Sequence, residues 1–156
     1  MQLNKRTPCV GICSTTYGDL VCRGCKRFAH EIVQWNGYEA TQQDAVRERL
    51  TRLRDEILEA LLVCDEPGLL QVALSEAGLT DLAEKEGQYQ LLRFMVRREQ
   101  SLASAGLALA PGAVAQPGPN NQPTPELDTL HAMQLLDAES YRRAKAHYER
   151  NFKVPA

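Results

Sequence analysis

The sequence predicts a mainly α fold in which a small four-cysteine module precedes helical segments, a flexible linker and a last helix. Three observations carry that expectation. Four of the five cysteines fall within seventeen positions, in "CVGICSTTYGDLVCRGC". Downstream of them, apolar residues recur every three or four positions, the period of one helix face. No stretch alternates apolar and polar residues as a half-buried strand does, and no internal repeat is visible.

The first element is the cysteine module, residues 1–36. Cys9, Cys13, Cys22 and Cys25 form C-x3-C-x8-C-x2-C with knuckle-like turns. Two short-range pairs joined by a loop suit a tetrahedral thiolate site, because each tight turn supplies two ligands. Gly11 and Gly24, one inside each pair, let backbone amides approach sulfur and stabilise thiolate charge. Cys25 falls just before a helix, whose N-terminal amides favour a negative ligand. Lys26 and Arg27 add positive charge, which suits four thiolates around a divalent ion. Zinc and an iron–sulfur cluster both use such a set, and the spacing alone favours zinc. Disulfides are the expectation for a secreted mini-domain instead. A thioredoxin-like pair at Cys22 and Cys25 would need a βαβ pattern that is absent, and it leaves Cys9 and Cys13 unexplained. His30 is expected as a helix residue, since four cysteines complete the ligand set.

Residues 37–104 read as a helical region. Just before it, Phe28, Ile32 and Trp35 share one face of a short helix that ends at the Asn36-Gly37 turn. A longer helix starts at Thr41 with Asp44 as a weak capping box. Its stripe runs Val46, Leu50, Leu53, Ile57, Leu61 and Cys64, which makes Cys64 a small buried hydrophobe. "DEPG" at 65–68 ends it. Further helices are expected over about 69–77 and 81–103, with Thr80 as N-cap and Leu82, Tyr89, Leu92, Met95 and Val96 on one side. Residues 105–125, rich in Ala, Pro and Gly, read as a disordered linker. A C-terminal helix within 126–156 starts after Thr124-Pro125, a favoured cap-then-N1 order.

Composition narrows the function. Aromatics make up only 6%, so any core is mostly aliphatic, and the net charge of −2 excludes a strongly basic nucleic-acid binder. The charge is uneven. Residues 1–36 carry five Lys/Arg against Asp19 and Glu31, whereas residues 37–66 carry four Arg against eight Asp/Glu. Lys5, Arg6, Arg23, Lys26 and Arg27 are therefore the candidates for phosphate or partner contact, although basic residues beside thiolates also serve to balance charge. No signal segment or membrane-length apolar run is visible, so the expected location is cytoplasmic, with no membrane partner. No P-loop, nucleotide fingerprint, paired-carboxylate or Ser/His/Asp arrangement is present, and no catalytic residue is assigned.

"PCVGIC", "GDLVCRGCKRFAHEIVQW" and the arginine-rich helix that follows resemble the domain-of-unknown-function family 1289, over about residues 7–55. Pro8, Cys9, Gly11, Cys13, Cys22, Arg23, Gly24, Cys25 and Trp35 all fall in place, while Lys26 stands where glycine is common. The resemblance implies an iron–sulfur cluster, since members are usually labelled predicted Fe–S proteins, and this balances the preference for zinc. The function expected is a non-catalytic metal-binding module that meets a protein partner through its helical surface. An iron–sulfur redox or sensing protein is the alternative, and a weak RNA- or DNA-binding zinc module is the second alternative.

Overall fold

The computed structural model describes residues 8–9, 13–114 and 127–152. The architecture is mainly α. A 3-10 turn, Ser14–Tyr17, leads to helix α1 (Ala29–Gln34), and a second, Trp35–Gly37, leads to the long helix α2 (Ala40–Leu61). Strand β1 (Leu62–Cys64), helices α3 (Pro67–Glu76) and α4 (Glu84–Arg97), strand β2 (Leu107–Leu109), a single turn α5 (Pro111–Val114) and helix α6 (Asp128–Asn151) follow. Among the described residues no helix is long and apolar enough to cross a membrane. The chain divides into two compact units: Met1–Arg54 with Ala138–Ala156, and Asp55–Asp137.

In the first unit, Val21 and Phe28 pair as an isolated antiparallel bridge. With Ala144 they form a small core, against which Leu53, Tyr141 and Tyr148 pack. This is why the second half of α6 belongs with the N-terminal residues. Phe28 also starts α1: Glu31, three residues on, accepts its backbone N–H at 2.9 Å and so satisfies one of the free amides of a helix N-terminus. Phe28 and Trp35 are both buried, as their spacing predicts. Helix α2 begins one residue earlier than expected. The Gln42 side chain accepts the Glu39 N–H at 2.9 Å, while Asp44 pairs with Arg47 instead of capping.

The second unit has an aliphatic interior that includes Leu58, Leu91, Leu92, Met95, Leu102 and Leu107. Three expectations are corrected here. Residues 62–64 leave the helix to form β1, which pairs antiparallel with β2 in the register Leu62↔Leu109, Val63↔Ala108, Cys64↔Leu107. Cys64 is therefore exposed on a strand, not buried on a helix stripe. "DEPG" starts a helix and does not merely end one: Glu66 is the N-cap of α3 and Pro67 its first residue, where a missing N–H costs nothing. Helix α4 starts after Ala83, not Thr80, with Glu84 and Glu86 favourably placed in its first turn. It ends near Arg97, and a separate 3-10 turn, Leu102–Ala105, follows.

The stretch expected to be linker carries structure in its described part. Gly106 has φ +69°, and its carbonyl accepts the N–H groups of Asp65 and Glu66 at 2.8 and 3.1 Å. A Cβ there would collide with the Glu66 carbonyl, so the close approach needs glycine. That approach delivers Leu107–Leu109 to β1. Residues 115–126, including Thr124-Pro125, lie outside the described residues.

Candidate metal centre

The turn Cys22–Arg27 is built by two backbone bonds. The Lys26 N–H donates to the Cys22 carbonyl and the Cys22 N–H to the Arg27 carbonyl, both at 2.9 Å. Ala29 N–H donates to the Leu20 carbonyl at 2.8 Å and ties the turn to the start of α1. Closing so tight a loop requires a left-handed residue, and Lys26 takes it with φ +66°. A side chain in that region costs about 1–2 kcal/mol, which is the physical sense of glycine at this place. Lys26 offsets part of the cost: its ammonium folds back onto the carbonyls of Arg23 and of Gly24, the latter at 3.1 Å.

The turn brings the Cys22 and Cys25 thiols within hydrogen-bond reach of each other. Burial opposes ionisation of Cys22, yet N–H groups of Cys25, Ser14 and Gly24, together with the Cys25 thiol, outweigh it and lower its pKa to about 7. Cys25 behaves differently. Burial pushes its thiol up, and the opposing effects come from Arg27: its side-chain hydrogen bond, its backbone N–H and its charge. The Arg27 Nε donates to Cys25 Sγ at 3.3 Å.

The first pair is only partly delivered to this turn. Ser14 docks against it, with its hydroxyl accepting the Arg23 N–H at 2.8 Å and its own N–H reaching Cys22 sulfur. Cys13, next to it, is half-buried, and its sulfur lies 2.8 Å from the Thr15 hydroxyl. Cys9 is exposed, and no disulfide joins the described cysteines. Among the described residues no three His, Cys, Asp or Glu side chains are gathered as a metal-holding group. The donor chemistry nevertheless fits a thiophilic metal, since two adjacent thiols with N–H donors aimed at sulfur are what such a half-site needs.

The basic candidates separate sharply. Lys5 and Arg6 lie outside the described residues. Lys26 and Arg27 are only 7% and 4% exposed, and so are not part of an open phosphate-binding surface. Arg23 is exposed, paired with Asp19 and stacked over the Tyr141 ring. His30, expected as a helix residue, lies in α1, is half-buried and packs on Phe28 and Phe152. Sequence reasoning missed two partners of this region. Arg49 makes a two-bond contact with the buried Glu31 carboxylate, 2.6 Å for each bond. Trp35 lies beneath the Arg27 and Arg47 guanidinium groups, at 4.9 and 5.3 Å from the ring centre. The i, i+7 spacing of Phe28 and Trp35 signalled burial, but nothing in it signalled the cations.

The helices define the class: a mainly helical chain whose N-terminal part carries four cysteines. Residues 7–57, about a third of the chain, match the family model described as Protein of unknown function (DUF1289). No curated protein and no solved structure matches the chain.

Proposed function

We propose that Cys9, Cys13, Cys22 and Cys25 bind one metal centre, and that the protein is a cytoplasmic, non-catalytic metal module that meets a protein partner. The observation that carries this reading is the Cys22–Cys25 turn, with two neighbouring thiols, three N–H donors on one sulfur and a guanidinium on the other. A bound metal would supply folding free energy, on the order of 10 kcal/mol for structural zinc in small domains. The N-terminal unit is suited to that help, because its apolar core is small. Exposed Leu69 and Val72 on α3 and Leu82 beyond it support a protein partner for the helical surface.

Two metal chemistries answer to the same ligands. Zinc makes the centre structural, whereas an iron–sulfur cluster makes the protein a redox or sensing one. Anaerobic purification followed by metal and acid-labile sulfide analysis and a visible spectrum decides between them. Stoichiometric zinc with no visible band supports the structural module. Iron with sulfide and a charge-transfer band moves the function to redox or sensing. Neither metal bound, with all four cysteines reduced, overturns the proposal.

A further inference from the structure

We infer that Arg27 is a positioning residue of the metal centre: its buried guanidinium is a built-in counter-charge that holds Cys25 and sets the properties of the metal–sulfur bond there. The inference rests on the metal reading above, but a separate observation carries it. A buried cation is costly unless an anion or equivalent partner meets it. Elsewhere in the N-terminal unit arginines meet carboxylates from more exposed positions: Arg23 reaches Asp19, Arg47 reaches Asp44 and Arg49 grips Glu31. Arg142 and Arg143 both reach Glu139. Buried Lys26 turns instead to the Arg23 and Gly24 carbonyls. Arg27 is among the most buried of the charged residues and has no carboxylate partner among the described residues.

What faces Arg27 is sulfur on one side and an aromatic ring on the other. Its Nε–H points at Cys25 Sγ, and its guanidinium plane is held over Trp35, itself buried. Stacking on indole fixes the fork and supplies part of the lost hydration, but not a neutralising charge. A metal-bound thiolate at Cys25 supplies that charge. The two sulfurs of the turn thus have different neighbours: backbone amides and the Cys25 thiol at Cys22, and the Arg27 guanidinium with its own backbone N–H at Cys25.

The test uses the full chain and Co2+ as the probe, because cobalt on thiolates gives sulfur-to-metal charge-transfer bands. Arg27→Gln removes the charge, and Arg27→Lys keeps a cation but loses the planar fork. The four thiolates remain in both variants, so both should still bind. Arg27→Gln is expected to bind Co2+ about 10–100-fold more weakly, the usual effect of losing an outer partner of a ligand. Its charge-transfer band should move to longer wavelength, because a thiolate without its donor gives up an electron more easily. Arg27→Lys should recover part of both effects, which a loss of packing alone would not produce. If Arg27→Gln fails to fold by circular dichroism, the band shift of Arg27→Lys alone carries the test. Wild-type affinity and band position in the folded variants would overturn the role of Arg27 while leaving the metal reading intact. Failure of the wild type itself to take up Co2+ would instead remove the metal reading, and this inference with it.

Discussion

The two compact units fill their interiors with different material. In Asp55–Asp137 the buried side chains are chiefly Leu, Met and Ala, and the polar exceptions are few, among them Thr129, whose hydroxyl donates to the Gln100 carbonyl at 2.8 Å. In the N-terminal unit the buried set includes Lys26, Arg27 and Glu31 beside Val21, Cys22, Phe28 and Trp35. Hydrocarbon needs only more hydrocarbon, so most of the first interior is satisfied by packing, although the buried His131 Nε2 has no hydrogen-bond partner among the described residues. Charges need partners. Glu31 has Arg49, whereas Arg27 meets the sulfur of Cys25 and the Trp35 ring and has no carboxylate partner among the described residues. The difference teaches that one unit is held chiefly by apolar burial, whereas the other also buries charges that need partners.

The largest expected effect breaks this comparison at the proposed metal centre. Removing it, by a chelator or by Cys9→Ser, Cys13→Ser, Cys22→Ser or Cys25→Ser, should cost the N-terminal unit stability on the order of 10 kcal/mol if the centre is structural zinc. Amide exchange should rise around Val21–Trp35 and stay slow in α4. Cys64→Ser should leave metal content unchanged, because Cys64 is exposed on β1. Metal loss in Cys64→Ser, or equal loss of protection in both units, would contradict the assignment.

The reciprocal test is Leu92→Ala, since Leu92 is fully buried in α4. Emptying such a site costs about 2–5 kcal/mol. Denaturant unfolding should report that loss, while metal stoichiometry stays at the wild-type value. A metal deficit in this variant would mean that the aliphatic interior also holds the cysteine turn.

What could be read from the sequence divides along the same line. Local signals were legible. The spacing of Phe28 and Trp35 gave a buried face, and the three-to-four period gave the helical class and most of α2. Signals that depend on a distant partner were not. Leu61–Cys64 continues the helical period, but residues 62–64 are drawn into β1 by Leu107–Leu109, more than forty positions away. Gly106 looked like linker composition, and only the approach of Glu66 makes it a fixed turn. At the cysteines, the pairing of Cys22 with Cys25 was legible from C-x2-C. The burial of Lys26 and Arg27 was not, because sequence reports a charge without its environment.

A smaller effect sharpens the comparison at Lys26, where a side chain occupies a conformation that favours glycine. Lys26→Gly removes the backbone cost and also the bonds from the ammonium to the Arg23 and Gly24 carbonyls. Lys26→Ala loses the same bonds and keeps the cost. The glycine variant should therefore be the more stable of the two by about 1–2 kcal/mol, the opposite of their order inside a helix. Chemical unfolding of the two variants reads the difference directly. Equal stability would show that the turn relaxes to another backbone conformation.

The smallest effect concerns charge satisfied without metal. Glu139 on α6 accepts hydrogen bonds from Arg142, at 2.9 and 2.6 Å, and from Arg143, at 2.8 Å. The bond from Arg142 leads in lowering its pKa from 4.5 to about 2, against the effect of partial burial. A carboxyl lowered in the folded state adds stability that is fully present above its unfolded pKa, and this is lost as pH falls through the folded value. The window therefore runs from about 4.5 down to about 2. The Arg142 side chain is 67% exposed, so solvent screening limits the contribution to less than about 1 kcal/mol. Acid also protonates thiolates, but wild type and Glu139→Gln share that loss, and it cancels in their difference. The stability gap between them should be small and positive at neutral pH and vanish near pH 2. A gap that persists in acid would mean that Glu139 acts through packing, and that the N-terminal unit meets this charge, too, by some means other than its arginines.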